Sequence, residues 1–221
     1  ACIVLAQWAL ARVWHYSFDG PLFRHPGESR DPLAASSWTP AFAGVTRYMA
    51  EVFWLALGLG VLIKGPIILM VCGLTALVLS VIRREVAWLK PLFSWAGLAL
   101  FALIVLPWLI AITFKSGGQF WVESVGKDLL AKAAGGQESN GAPPGIYLGT
   151  VFLTFWPWAP LLLPAGVLAW QRRRERSVQF LLAWLLPVWL VFELMPTKLL
   201  HYTLPVFPAL AGLVALLLVG G

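Results

Sequence analysis

Three short polar stretches interrupt an otherwise apolar chain, and they hold the residues able to do chemistry. The first is Lys64-Gly65-Pro66. It joins a cation to a residue that lets a ligand approach the backbone and to a residue that suits the first turn of a helix. Amides at a helix start favour an anion, so the tripeptide suits a phosphate or an anionic lipid headgroup. A lysine at a helix end reaching for the membrane surface accounts for it equally well. The second stretch, GGQESNGAPPGIYL over 135–148, offers one acid, Glu138, and one amide, Asn140. Its glycines permit tight backbone, and Pro143 and Pro144 stiffen the return. A lone carboxylate in such a loop is more often only solvated. The third, MPTKLLHY over 195–202, sets Lys198 and His201 at i and i+3 and Tyr202 at i+4, so one helical turn would point them the same way. Glu193 lies just upstream. An acid, a cation and an imidazole near one interface make a polar site, and they serve as well as helix-end anchors. No nucleotide-binding loop, zinc-ligand spacing, Ser/His/Asp order or usable Cys nucleophile is present. Cys2 and Cys72 both lie in apolar runs, which gives neither a disulfide nor a metal reading.

The elements that must position these residues are membrane spans. The chain of 221 residues is 60% hydrophobic and only 12% charged, about half the charge of soluble domains, with a mean hydropathy of +0.80. Thirteen Trp and thirteen Phe fit aromatic belts at two interfaces. Residues 1–14 are too short to span and read as a partial transmembrane helix. Residues 15–50 read as an irregular cytoplasmic insert, because the prolines, glycines and scattered charges of 17–47 leave no helical period. Residues 51–221 read as the multi-span membrane domain. Within it, 52–82 would measure about 46 Å as one helix, against a hydrocarbon core of about 30 Å. Two helices meeting at Lys64-Gly65-Pro66 are therefore expected. Further spans are expected over 92–114, 148–170, 178–194 and 203–220. The polar connection 115–147 carries an amphipathic, interfacial helix over 120–133. Both ends fall in apolar runs, so the chain is expected to be a piece of a longer protein.

Loop charge assigns the sides. Lys and Arg gather in cytoplasmic loops. Arg12 with 17–47, the loop 83–90 and the cluster 171–176 together hold 11 basic residues, and the other loops hold 5. That split agrees with alternation of the spans. It puts Lys64, the 115–147 connection and 195–202 at the outer face. The net charge of +6 reflects these clusters, not a nucleic-acid partner.

With these segments in order, the chain resembles the bacterial 4-amino-4-deoxy-L-arabinose transferases, within the protein-O-mannosyltransferase-like glycosyltransferases of the multi-span C-type fold. The residues that carry the resemblance are FWLALGLGVLIKGP, SGGQFWVESVGKDLLAKAAGGQESNGAPPGIYL, TFWPWAPLLLP and MPTKLLHYTLPVFPAL, together covering roughly 51–219. The HPGESRDP…WTPAFAGVT core of 17–47 resembles instead a palindromic repeat translated in frame in many bacterial genomes, which implies an insertion without a role of its own. The family resemblance implies an all-α polytopic bundle in the bacterial inner membrane that moves a sugar from a polyprenyl-phosphate donor to a lipid (lipid A-like) or protein acceptor at the periplasmic face. It implies that Lys64, Lys198, His201 and Tyr202 meet the donor phosphate and lipid, with Glu138 and Asn140 as loop members of the site. It implies no certain cofactor and leaves a divalent metal open. The family usually has His in place of Asn140, Tyr in place of Ile146 and Pro in place of Leu200. Its acidic Asp-Glu pair falls upstream of this chain, so the catalytic carboxylate, and with it activity of these residues alone, is not expected here. A transporter with a helix broken at Lys64-Gly65-Pro66 and a non-functional remnant are the rival readings.

Overall fold

A computed structural model describes residues 1–19, 32–124, 143–196 and 198–220, with only the backbone course for 18–19, 32–46 and 220. Among these residues the chain is helical, without a strand. It divides into two compact units, Ala1–Leu106 and Pro107–Gly221.

The first unit holds α1 (Cys2–Asp19), α2 (Pro32–Lys64), α3 (Ile67–Arg83), a 3-10 turn at Ala87–Leu92 and the start of α4 (Trp95–Ser116). α1 lies along α2 and also touches α3. Its buried face is Ala6, Ala9, Leu10, Val13 and Trp14, a helical stripe. Two polar contacts are enclosed in this packing. The Gln7 amide donates to the Thr75 hydroxyl at 2.9 Å, and both residues are fully buried. The Trp88 indole donates to the Ser80 hydroxyl at 3.1 Å and meets Trp14 edge-on at 5.2 Å. Buried donors are matched to acceptors because leaving one unpaired costs about 1–3 kcal/mol.

Two expectations change in this unit. Helix α1 runs to Asp19, beyond the partial span read over 1–14. Helix α2 begins at Pro32, inside the stretch 15–50 read as irregular. Proline suits a helix start, where its missing N–H has no helical partner anyway. The expected break does occur: α2 ends at Lys64 and α3 begins at Ile67.

The second unit holds the rest of α4, one helical turn at Gln119–Trp121, α5 (Ile146–Thr154), a 3-10 turn at Ala159–Leu161, α6 (Leu162–Gln171), α7 (Arg176–Leu194), a 3-10 turn at Leu200–Val206 and α8 (Phe207–Gly220). α8 packs on α6 and α7. The span read over 148–170 is interrupted at 155–158, where the chain turns and the Trp156–Pro157 peptide is cis. Pro157 and Pro160 have no N–H to continue the ladder. Phe155 turns inward onto Phe207 at 5.5 Å, while Trp156 and Trp158 stay exposed. The helix read over 120–133 is described only to residue 124, and the rest lies outside the described residues.

Among the described residues, three helical stretches are long and apolar enough to cross a membrane: Trp95–Ser116, Arg176–Leu194 and Leu200–Val219. Only 11% of the most apolar window of α4 is buried among the described residues, against 39% for α7, so most of the surface of α4 is left uncovered by them.

α4 also sets a packing limit. A Cβ on Gly97 would lie 2.3 Å from Cδ1 of Trp54, and that indole is pinned by its bond to the Leu92 carbonyl at 2.6 Å. Gly97→Ala should therefore destabilise by about 1–3 kcal/mol through overpacking. Gly73→Ala, whose Cβ meets nothing within 4 Å, should leave stability unchanged or raise it. Thermal melts of the detergent-solubilised chain check the contrast, and a Gly97→Ala melt matching the parent would contradict it.

Candidate functional site

α7 is read as a span, and its C-terminal end must satisfy carbonyls that no further turn of helix can reach. It does so with side chains. Lys198 is 9% exposed, and its ammonium donates to the Phe192 carbonyl at 3.3 Å and to the Glu193 carbonyl. A cation there also opposes the negative end of the helix dipole. The same ammonium lies 5.4 Å from the centre of the Tyr147 ring, within cation–π range.

Tyr147 comes from α5, more than forty residues earlier in sequence, and is 2% exposed. Its hydroxyl donates to the Leu199 carbonyl at 3.0 Å. Glu193 completes the link, since its Oε1 accepts the backbone N–H of Gly145. Gly145 has φ +102, a conformation that disfavours any side chain, and it lies where the polar connection returns to α5. Glu193 Oε2 is buried without a hydrogen-bond partner. Phe192 and Tyr202 meet at 5.6 Å, and the His201 ring stands edge-on to Tyr202 at 5.0 Å.

The structure brings Lys198, His201 and Tyr202 into one neighbourhood, though not on one helical turn. Leu199 is extended (φ −119, ψ 131), and the 3-10 turn begins only at Leu200. The i, i+3 relation of an α-helix therefore fails, and Lys198 points inward while His201 is exposed. Tyr147 and Gly145 were not among the expected site residues. A signal was available, since Tyr147 closes the stretch that carries Glu138 and Asn140. Those two residues lie outside the described residues.

In the first unit, Lys64 is exposed at the last turn of α2. Gly65 has φ +69, with nothing within 4 Å of the Cβ it lacks, so backbone conformation and not space selects glycine there. Pro66 caps the start of α3 with φ −73. Among the described residues no three His, Cys, Asp or Glu side chains gather as a metal site.

No family model matches the chain. The undecaprenyl phosphate-alpha-4-amino-4-deoxy-L-arabinose arabinosyl transferase 1 of Pseudomonas fluorescens is 33% identical over 163 residues, covering 72% of this chain and 29% of that protein. The corresponding transferase of Aeromonas hydrophila is 33% identical over 170 residues, covering 74% and 30%. The chain is a partial-length relative of these arabinosyl transferases. It spans under a third of the length of the curated relatives it matches. The fold agrees: the crystal structure of ArnT from Cupriavidus metallidurans bound to undecaprenyl phosphate matches 98% of this chain, at 36% of its own length, with a TM-score of 0.70 and 19% identity. Its apo form matches with a TM-score of 0.65. Relatives and helices together make this a membrane protein.

One titration follows from the geometry. Tyr147 stands just before the apolar run 148–170. Burial pushes its phenol above the ordinary value, and Tyr202 and Glu193 add to the rise. The hydrogen bond to Leu199 is therefore fully present below about pH 10 and is lost as pH rises through the raised value. Tyr147→Phe should cost about 1 kcal/mol at neutral pH and remove that alkaline step. Melts from neutral to alkaline pH check this, and an unchanged alkaline profile in the variant would contradict it.

Proposed function

We propose that the chain forms part of a membrane glycosyltransferase that takes a sugar from a polyprenyl phosphate and passes it to a lipid or protein acceptor at the periplasmic face of a bacterial inner membrane. The observation that carries this reading is the partial-length relation to transferases named for an undecaprenyl phosphate-linked aminoarabinose donor. The Cupriavidus protein with the same fold is described as bound to undecaprenyl phosphate. The excess of Lys and Arg in the other loops supports an outward side for Lys64 and for Lys198.

In such a reaction an acceptor oxygen attacks the anomeric carbon while the bond from that carbon to the phosphate oxygen breaks. The acceptor proton passes to a base, and the lipid phosphate leaves with the electron pair. Cations stabilise the charge that develops on the leaving phosphate. Lys64 suits this role because it is exposed, it lacks an ion pair among the described residues, and Gly65 leaves its backbone open. Lys198 is largely committed to the helix end: two of its three N–H groups meet carbonyls, and one remains for a phosphate oxygen. His201, exposed against Tyr202, suits contact with the donor headgroup. The carboxylate that would act as base is expected outside this chain, with Glu138 and Asn140 as loop contributors.

In the full-length protein, Lys64→Ala should lower kcat/KM for the polyprenyl-phosphate donor by about tenfold or more, the worth of one charge-assisted hydrogen bond. Lys115→Ala should change it little. Transfer assays with a radiolabelled donor check this, and equal, small effects of the two substitutions would remove Lys64 from the site.

A further inference from the structure

The first unit carries an open cleft of about 860 Å³ at the far end of α3 from Lys64, beside the 3-10 turn Ala87–Leu92. Its volume falls in the range of small-molecule sites. Its walls are apolar: Leu77, Val81, Val86 and Phe93 line it, and each is more than half exposed. Two cations, Arg84 and Lys90, also line it, both exposed. One carboxylate, Glu85, also lines it, but that acid already faces Arg83 at 3.6 Å. Arg83 in turn is held by the Ser17 hydroxyl and lies 5.9 Å from the Trp14 ring. The local acid is thus answered from within the protein, and the charge left facing the cleft is positive.

The backbone adds an independent observation. Arg84 closes α3 with φ 55 and ψ 29, the only non-glycine residue with positive φ among the described residues. Its N–H reaches the Val81 carbonyl, and the Glu85 N–H reaches the Ser80 carbonyl, each at 3.2 Å. Glycine is the usual residue at this helix-closing position, because any side chain there is strained. Strain held by a non-glycine residue points to a use for its side chain. Here the guanidinium lies beside an apolar cleft in a membrane protein.

We propose that this cleft binds an anionic glycerophospholipid, with an acyl chain along Leu77, Val81, Val86 and Phe93 and the phosphate between Arg84 and Lys90. Apolar walls with two cations in the lining, neither in an ion pair among the described residues, match an amphiphile that carries one negative headgroup. A zwitterionic lipid brings the same chain without the net charge, so charge separates the two. The cleft belongs to the loop 83–90, which the positive-inside pattern assigns to the cytoplasmic leaflet, where anionic lipids draw basic residues. The site is separate from the proposed donor contacts at Lys64.

The experiment is native mass spectrometry of the full chain released from nanodiscs containing equal phosphatidylglycerol and phosphatidylcholine. The parent chain should retain phosphatidylglycerol preferentially. Arg84→Gly combined with Lys90→Gln should lower that retention at least fivefold and leave phosphatidylcholine retention unchanged. Arg173→Gln, which alters a different basic cluster, should change neither. Arg84→Gly relieves the strained φ, so the single variant should melt at or above the parent temperature and still lose anionic lipid. Equal retention of the two lipids by the parent, or full phosphatidylglycerol retention by the double variant, would overturn the proposal. A second measurement needs no variant: phosphatidylglycerol carrying a photoreactive group next to its phosphate should label residues 84–93. Labelling confined to other segments, as when another part of a longer protein fills the cleft, would overturn it as well.

Discussion

A helix that ends at a membrane surface leaves its last carbonyls without helical donors, and the way α7 meets that need organises the second unit. Carbonyls enclosed by packing are out of water's reach, so side chains must serve them. Lys198 supplies two N–H groups to the Phe192 and Glu193 carbonyls. To reach back so far, the chain at Leu199 must be extended, and that extension exposes the Leu199 carbonyl to the Tyr147 hydroxyl. Glu193 then takes the Gly145 N–H. Two of these four bonds, Tyr147 to Leu199 and Gly145 to Glu193, thus join segments about fifty residues apart and hold the 143–147 return against the end of α7. The chemistry proposed for this face inherits its geometry from that clasp.

The first unit relies on other contacts. Its helices are held by polar contacts enclosed in apolar packing, Gln7 with Thr75 and Trp88 with Ser80, where a hydrogen bond is strengthened by the absence of competing water. Its break at 64–66 is made by backbone preference. Gly65 takes a positive φ, Pro66 begins the next helix, and Lys64 is left exposed. Lys198 is largely committed to the helix end, whereas Lys64 has no ion pair among the described residues. The two cations are therefore not equivalent: Lys64 suits a contact made only with ligand, while Lys198 suits a contact that also reports on the fold.

How much of this was legible depended on whether the signal was local. The break at Lys64-Gly65-Pro66 was readable because proline and glycine act on their own backbone. The spans over α4, α7 and α8 were readable because length and apolarity are local sums. The interruption at 155–158 was missed although Pro157 and Pro160 were visible, because apolarity continues through it and a hydropathy pattern is blind to a turn built from Trp and Phe. The helix from Pro32 was missed because its prolines and glycines were read as breakers; a helix start tolerates Pro32, while Pro40 lies inside the helix. The roles of Tyr147 and Glu193 depend on a pairing across more than forty residues, which no spacing rule reaches. Lys198 and His201 were expected on one helical turn, and the demand of the α7 end for donors overrode that local preference.

The central claim is that Lys198 closes α7 and, through Tyr147 and Glu193, holds the 143–147 return. Hydrogen–deuterium exchange on the full chain tests it directly, comparing the parent with Lys198→Met. The account predicts that backbone amides over 192–196 and over 145–149 both lose protection in the variant, while those of α3 keep theirs. Loss confined to the end of α7, with 145–149 unchanged, would show that the two segments are held independently and would contradict the account.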